Sequence, residues 1–156
     1  MSEQHKNKKA SILFVDDEEL AIMTLRRIFQ QDFTIYTALN GAEALKLVRA
    51  HPEITVLVTD LRMPKMDGIE LARQVAQESP TIVSILLTAY ADITLIVDTM
   101  REGILHQYMA KPYDDRILKQ EVIRGIQWNT LLKERDSCNI ERIELKKEIA
   151  KIKNTQ

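Results

Sequence analysis

Residues 54–78 read ITVLVTDLRMPKMDGIELARQVAQE, and they hold one full copy of the unit from which the fold is built. Residues 54–59 are apolar or β-branched throughout, as expected of a strand covered on both faces. Met63 with Pro64, and Asp67 with Gly68, break the chain into a loop. From 69 to 78 the apolar positions return at helical spacing, which predicts a helix. The stretch is therefore strand, loop and helix, with one acidic residue, Asp60, where the strand hands over to the loop.

The same unit recurs on both sides. Ser11–Val15 (SILFV) predicts a strand and residues 18–30 a helix, with Leu20, Met23, Leu25, Ile28 and Phe29 near one face. Residues 33–37 predict a second strand. Asn40 and Gly41 break the chain, and residues 42–50 predict a helix closed by His51 and Pro52. Residues 81–87 predict a fourth strand, 92–102 a helix stopped at Gly103, and Gln107–Ala110 a short fifth strand. From Asp114 the helical pattern runs on to the end. Five such units imply a parallel sheet with helices on both faces, an α/β fold, because right-handed crossovers leave little else. Ligands of such sheets sit beyond the carboxyl ends of the strands.

Composition fits this reading. The chain has 156 residues, 45% hydrophobic and 29% charged, enough to bury roughly 70% of its unfolded surface. A net charge of −1 offers no field for nucleic acid or an anionic membrane surface. The single cysteine, Cys138, excludes an internal disulfide and suits a reducing, cytoplasmic setting. The apolar runs are too short for a transmembrane helix. Residues 1–9 read as a flexible basic tail, 10–126 as the globular domain and 127–156 as a helical extension.

The strand ends carry the chemistry. Asp16 and Asp17 follow the first strand, Asp60 ends the third, Thr88 the fourth, and Lys111 follows the fifth. Singly, each has an ordinary explanation: an aspartate after a strand is commonly a helix cap, and a lysine before proline is a common loop pair. Together, in one cleft, they do a specific job. Crowded carboxylates raise one another's pKa unless a cation joins them. An oxygen-only, partly open site suits Mg²⁺. A carboxylate can take up a phosphoryl group, whose oxygens a metal and a lysine then neutralise.

The segments ILFVDDEE (12–19), LVTDLRMPKMDGIELA (57–72), ILLTAYAD (85–92) and YMAKPYDD (108–115) resemble the receiver domains of bacterial two-component response regulators, over about residues 10–125. The resemblance implies a flavodoxin-like, doubly wound (βα)5 sheet of order 2-1-3-4-5, followed here by an extended C-terminal helix. It implies that Asp60 accepts phosphate from a sensor histidine kinase or phosphotransfer protein. Asp17, Asp60 and the backbone carbonyl of Arg62 would then hold Mg²⁺, with Asp16 acting through water. Lys111 and Thr88 would contact the phosphoryl group, and Thr88 and Tyr108 would be the switch pair. The face made by the fourth helix, fifth strand and fifth helix would change its binding preference. By position, Arg62 and Tyr90, two residues beyond Asp60 and Thr88, are bulky and lie beside the expected path of attacking water, where Tyr90 would shield the phosphoryl group and slow its loss.

An aspartate-nucleophile phosphatase is the competing reading. Such enzymes of the haloacid dehalogenase type usually place a second acid two residues after the first, and Arg62 stands there. A flavodoxin would want a phosphate-cradling loop after the first strand, where Asp16 to Glu19 would instead repel phosphate. His5, His51 and His106 share no metal-ligand spacing.

The extension can be written as heptads, with Trp128, Arg135, Arg142 and Ile149 at a and Leu131, Cys138, Leu145 and Ile152 at d. That predicts a weak parallel coiled coil and a homodimer through the C-terminal helix. A helical pattern running to Gln156 favours the front of a longer protein over a stand-alone regulator. In similar proteins the following part is often a cyclic-dinucleotide enzyme or a transcription module.

Overall fold

The computed structural model describes residues 8–89 and 92–154. Most of the expected tail, residues 1–7, and Tyr90 lie outside the described residues. Five parallel strands, β1 (Ser11–Val15), β2 (Thr34–Ala38), β3 (Ile54–Asp60), β4 (Val83–Thr88) and β5 (Gln107–Ala110), form one sheet in the order β2-β1-β3-β4-β5. Five helices alternate with them: α1 (Glu19–Phe29), α2 (Gly41–Ala50), α3 (Gly68–Glu78), α4 (Ile93–Arg101) and α5 (Asp115–Asn154).

The two-residue period of a strand sends alternate side chains into two separate cores. Ile12 and Phe14, Val56 and Val58, and Val83, Ile85 and Leu87 point to one face. There they meet Ile22, Leu25 and Phe29 of α1 and Leu118 and Val122 of α5. Leu13, Val15 and Leu57 point the other way, against Ala44, Leu45 and Val48 of α2 and Leu71 and Val75 of α3. Leu86 shares that second face with Ile69, Ile96 and Leu105. The central strands β1 and β4 are buried along their whole length, whereas the edge strands β2 and β5 are not.

Element ends follow local chemistry. Asn40, Asp67 and Asp92 cap α2, α3 and α4, their side chains accepting from the backbone N–H groups of Glu43, Glu70 and Leu95. Gly103, at φ 78°, ends the turn after α4. Two strands begin later than their sequences suggest. The Phe33 N–H donates to the Phe29 carbonyl at 3.0 Å, and the Ile82 N–H to the Ser79 carbonyl at 3.1 Å. Those amides close helix ends, so the ladders start at Thr34 and Val83.

Helix α5 runs unbroken for 40 residues, a length of about 60 Å at the usual rise. Leu118, Val122, Gly125 and Asn129 are its buried residues, at the four-three-four spacing of one helical face. At Gly125 the helix lies so close to the sheet that a Cβ would sit 3.1 Å from Val56 Cγ2 and 3.3 Å from Val83 Cγ1. Asn129 is 3% exposed and its Nδ2 donates to the Thr81 carbonyl at 2.7 Å. Leu132 packs on the same core. Docking therefore continues past residue 126, where the apolar pattern alone ends the domain. A polar residue, Asn129, holds the next turn through a backbone carbonyl, and a pattern of apolar residues cannot register that contact.

Two substitutions test this packing. Asn129→Ala is expected to cost about 1–3 kcal/mol in urea unfolding, because it leaves the Thr81 carbonyl buried without its donor. Unchanged stability would mean that α5 is not docked at this turn. In Gly68→Ala the added Cβ would lie 2.2 Å from the Asp60 carbonyl oxygen. A loss of about 1–3 kcal/mol or more is expected in the same measurement.

Candidate functional site

All five strands point their carboxyl ends to one edge, and the acidic residues gather there. Asp16 leaves β1 as a buried residue, 4% exposed. Its Oδ1 accepts from the Glu18 N–H at 2.9 Å, which turns the carboxylate inward instead of capping α1. Asp17 follows it on the exposed rim, and Asp60 is half-buried at the end of β3. One carboxylate oxygen from each of Asp16, Asp17 and Asp60 lies within 4.8 Å of the others.

Asp60 is fixed from both sides. The Leu61 N–H donates to its Oδ1 at 3.0 Å. The Gly68 N–H donates to the Leu61 carbonyl at 2.8 Å and folds the β3–α3 loop back over the strand end. The loop passes through Lys65 at φ 70°. Gly68 is the position that sequence reasoning undervalued. Asp67 and Gly68 read as a generic turn pair, yet only a residue without a side chain allows α3 to start against the Asp60 carbonyl.

Lys111 is the single ammonium brought to the cluster among the described residues. Its Nζ lies 3.4 Å from Asp16 Oδ2 and 3.3 Å from Asp60 Oδ1. A cis peptide joins Lys111 to Pro112. Thr88 is buried, and its carbonyl accepts from the Lys111 N–H at 2.8 Å, so the fourth and fifth strand ends are tied together. Tyr108 is half-buried and packs on the group formed by Ile69, Leu86, Ile96 and Leu105. Arg62 is exposed, two residues beyond Asp60.

The electrostatics are those of a crowded anion site. Burial pushes the Asp60 carboxyl above its ordinary value; Lys111 opposes this and Asp16 adds to it. Burial alone would lower the Lys111 ammonium, but Asp16 and Asp60 outweigh it and hold the lysine charged. Three carboxylates against one ammonium leave the cluster two negative charges in excess. A divalent cation with oxygen preference matches that excess and the exposed position of Asp17.

The structure thus gathers Asp16, Asp17 and Asp60 and sets Lys111 beside Asp16 and Asp60. Thr88 stands on the neighbouring strand end, and Tyr108 lies in β5 beside Leu86, two residues before that edge. The two described histidines make their contacts elsewhere. His51 Nδ1 lies 3.2 Å from Glu53, His106 Nδ1 accepts from the Ser84 N–H at 3.1 Å, and His5 lies outside the described residues. No helix of the described chain is long and apolar enough to cross a membrane.

Comparison with known proteins agrees with this geometry. The response regulator receiver domain family matches residues 12–123. The regulatory protein AtoC of Escherichia coli is 36% identical over 125 residues, covering 79% of this chain and 26% of AtoC. The probable transcriptional regulator ycf27 of Cyanidium caldarium is 35% identical over 148 residues, covering 88% of this chain and 57% of that protein. This chain therefore spans between about a quarter and somewhat over half of these relatives. Among solved structures, a response regulator receiver domain protein from Clostridium thermocellum superposes with a TM-score of 0.73 at 28% identity, over 79% of this chain and 98% of that one. An adenylate cyclase structure from Rhodopirellula baltica superposes at 0.79 and 29% identity, over 83% and 96%. The matched family, the strand order and the acidic strand-end cluster concur: this chain belongs to the response regulator receiver family.

Proposed function

We propose that this chain is a phosphorylation switch in which Asp60 takes a phosphoryl group from a sensor histidine kinase or a phosphotransfer protein. The observation that carries the reading is the pairing of a half-buried, oriented Asp60 with Lys111 at 3.3 Å inside a three-carboxylate cluster. An Asp60 oxygen forms the bond to phosphorus as the bond to the donor breaks. Lys111, already charged and aimed at Asp60, neutralises one phosphoryl oxygen. The Thr88 hydroxyl, at the end of the adjacent strand, is the donor for another.

Asp17, Asp60 and the carbonyl of Arg62 are the groups we assign to Mg²⁺, with Asp16 acting through water. The bound ion would supply charge neutralisation for the transferring group and relief of the carboxylate repulsion. Thr88 and Tyr108 are the proposed switch pair, biasing a two-state equilibrium at the face of α4, β5 and α5. That face and α5 are the proposed surfaces for a partner or a second copy. Phosphatase turnover at Asp60 is disfavoured by Arg62, which occupies the place of a second acid.

Among the relatives named above, AtoC is described as a regulatory protein, ycf27 as a probable transcriptional regulator, and the structure from Rhodopirellula baltica as an adenylate cyclase. We assign this chain the input half of such a system, in the cytoplasm, without direct contact to nucleic acid.

Two measurements decide the assignment. Incubation with Mg²⁺ and acetyl phosphate is expected to add one phosphoryl mass to the intact chain, and Asp60→Asn is expected to add none while keeping its circular dichroism spectrum. Rapid turnover without a stable adduct would favour the phosphatase, and equal labelling of the variant would displace Asp60 as acceptor. Asp17→Ala is expected to weaken Mg²⁺ binding by roughly tenfold or more in calorimetry, since a direct charged ligand is lost. Unchanged affinity would move the metal elsewhere.

A further inference from the structure

The joint between β5 and α5 is sealed by a side chain that can change its charge. The Ser84 N–H donates to His106 Nδ1 at 3.1 Å, and the His106 N–H donates to the Ser84 carbonyl at 2.9 Å. Inside a parallel ladder such an amide takes a main-chain carbonyl from the next strand. Here the chain has not yet entered β5: the Ile104 and Leu105 amides still reach back to the Thr99 carbonyl of α4, at 3.3 and 3.4 Å. The imidazole stands in for the missing carbonyl and adds one rung below the first ladder pair, Ile85 with Gln107. Ser84 is 1% exposed, so the ring is what keeps its amide from being buried without an acceptor. The same ring meets Trp128 of α5 edge to face, at a centroid distance of 5.3 Å.

The acceptor role fixes the ring's charge. A nitrogen that accepts from an N–H carries no proton, so the seated imidazole is neutral, with its hydrogen on Nε2. Protonation would set N–H against N–H at Ser84, and the bond would be lost. The surroundings offer the cation nothing in return. His106 and Trp128 together line two clefts, whose charged residues are Glu121 and Arg124 in one and Glu102 and Arg135 in the other. Glu121 already holds Gln107 and Arg124, and Glu102 holds Arg73. Arg124 and Arg135 would repel an imidazolium. From β4, from α3 and from the turn after it, these clefts receive only Val83, Ile85, Ala76 and Pro80, which carry no charge. Burial accordingly pushes the imidazole below its ordinary value of 6.5 and outweighs an upward pull from the Ser84 backbone.

We propose that His106 is a proton-operated latch: the neutral ring closes the first rung of β5 and seats Trp128, and the protonated ring lets both go. The sign follows from linkage. The released ring binds a proton at the ordinary value and the seated ring only at a lower one, so the latch is closed above pH 6.5 and opens as the pH falls below it. The proton comes from solvent, and no other bond is made or broken covalently. His106 stands at the amino end of β5, the far end of the sheet from the acidic cluster. The latch therefore acts on the seat of α5 and does not rest on phosphorylation of Asp60.

The test uses the full, unphosphorylated chain and the fluorescence of Trp128, its only tryptophan. Emission is followed from about pH 8 to about pH 5, the range in which histidine titrates. H5Q/H51Q removes the other two histidines and is expected to keep a sigmoidal change with its midpoint below 6.5. H106N places a carboxamide oxygen where Nδ1 stood, an acceptor that does not titrate, and is expected to lose that change. Nuclear magnetic resonance on H5Q/H51Q reads the latch without altering it. There the Ser84 amide is expected to shift with the same midpoint as the His106 ring carbons. A His106 midpoint at or above 6.5, a Ser84 amide that ignores the titration of the ring, or the same fluorescence transition in H106N would each overturn the proposal.

Discussion

Like charges confined to one edge of a sheet repel, and in this molecule the packing below holds them together all the same. Asp16 and Asp60 are delivered by β1 and β3, neighbours in the sheet with matched register from Ile12 to Val15. Neither strand can retreat without opening a core in which Ile12, Leu13, Phe14, Val56 and Leu57 are fully buried. The repulsion is therefore stored and not relaxed, and Lys111 offsets only part of it. A site built this way is biased toward any ligand that brings positive charge, and it is altered by any chemistry that changes the charge on Asp60.

A continuous set of contacts leads from the site to α5. Lys111 follows directly on β5, an edge strand bound to β4 on one side only. The Lys111 amide is held by the Thr88 carbonyl. Lower in the same strand, Gln107 Nε2 donates to Glu121 of α5 at 3.2 Å. The His106 and Trp128 rings meet edge to face at a centroid distance of 5.3 Å. His106 accepts from the Ser84 N–H while its own N–H donates to the Ser84 carbonyl, so the ring is clamped to β4 as it touches α5. Burial favours the neutral form of that imidazole, which this accepting role requires. The contacts of β5 thus join the acidic cluster at one end of the sheet to α5 at the other.

Much of this was legible before any coordinates. Alternation of largely apolar or β-branched runs with helical periods located every described element to within a residue or two, clearest for the central strands β1, β3 and β4. The strand-end placement of Asp16, Asp17, Asp60, Thr88 and Lys111 followed from counting units. Three things did not follow. The strand order came with the resemblance, since periodicity carries no information about which strands are neighbours. The depth of the α5 docking was hidden because Gly125 and Asn129 are not apolar, although one permits close approach and the other satisfies a carbonyl. The role of Gly68 was hidden because its constraint is the absence of a Cβ beside a backbone oxygen, a distance that no single-residue pattern encodes.

The close approach at Gly125 has a mechanical consequence. A rigid rod pressed against a surface at one tight point, with long free length beyond it, is a lever whose fulcrum lies near that point. From Gly125 to Ile152 the arm is about 40 Å at the usual helical rise. A tilt of about five degrees at the fulcrum, within the reach of small repacking steps, would carry the far end by about 3–4 Å. Gain of that size turns a sub-ångström adjustment at the sheet into a displacement comparable to the spacing between packed side chains.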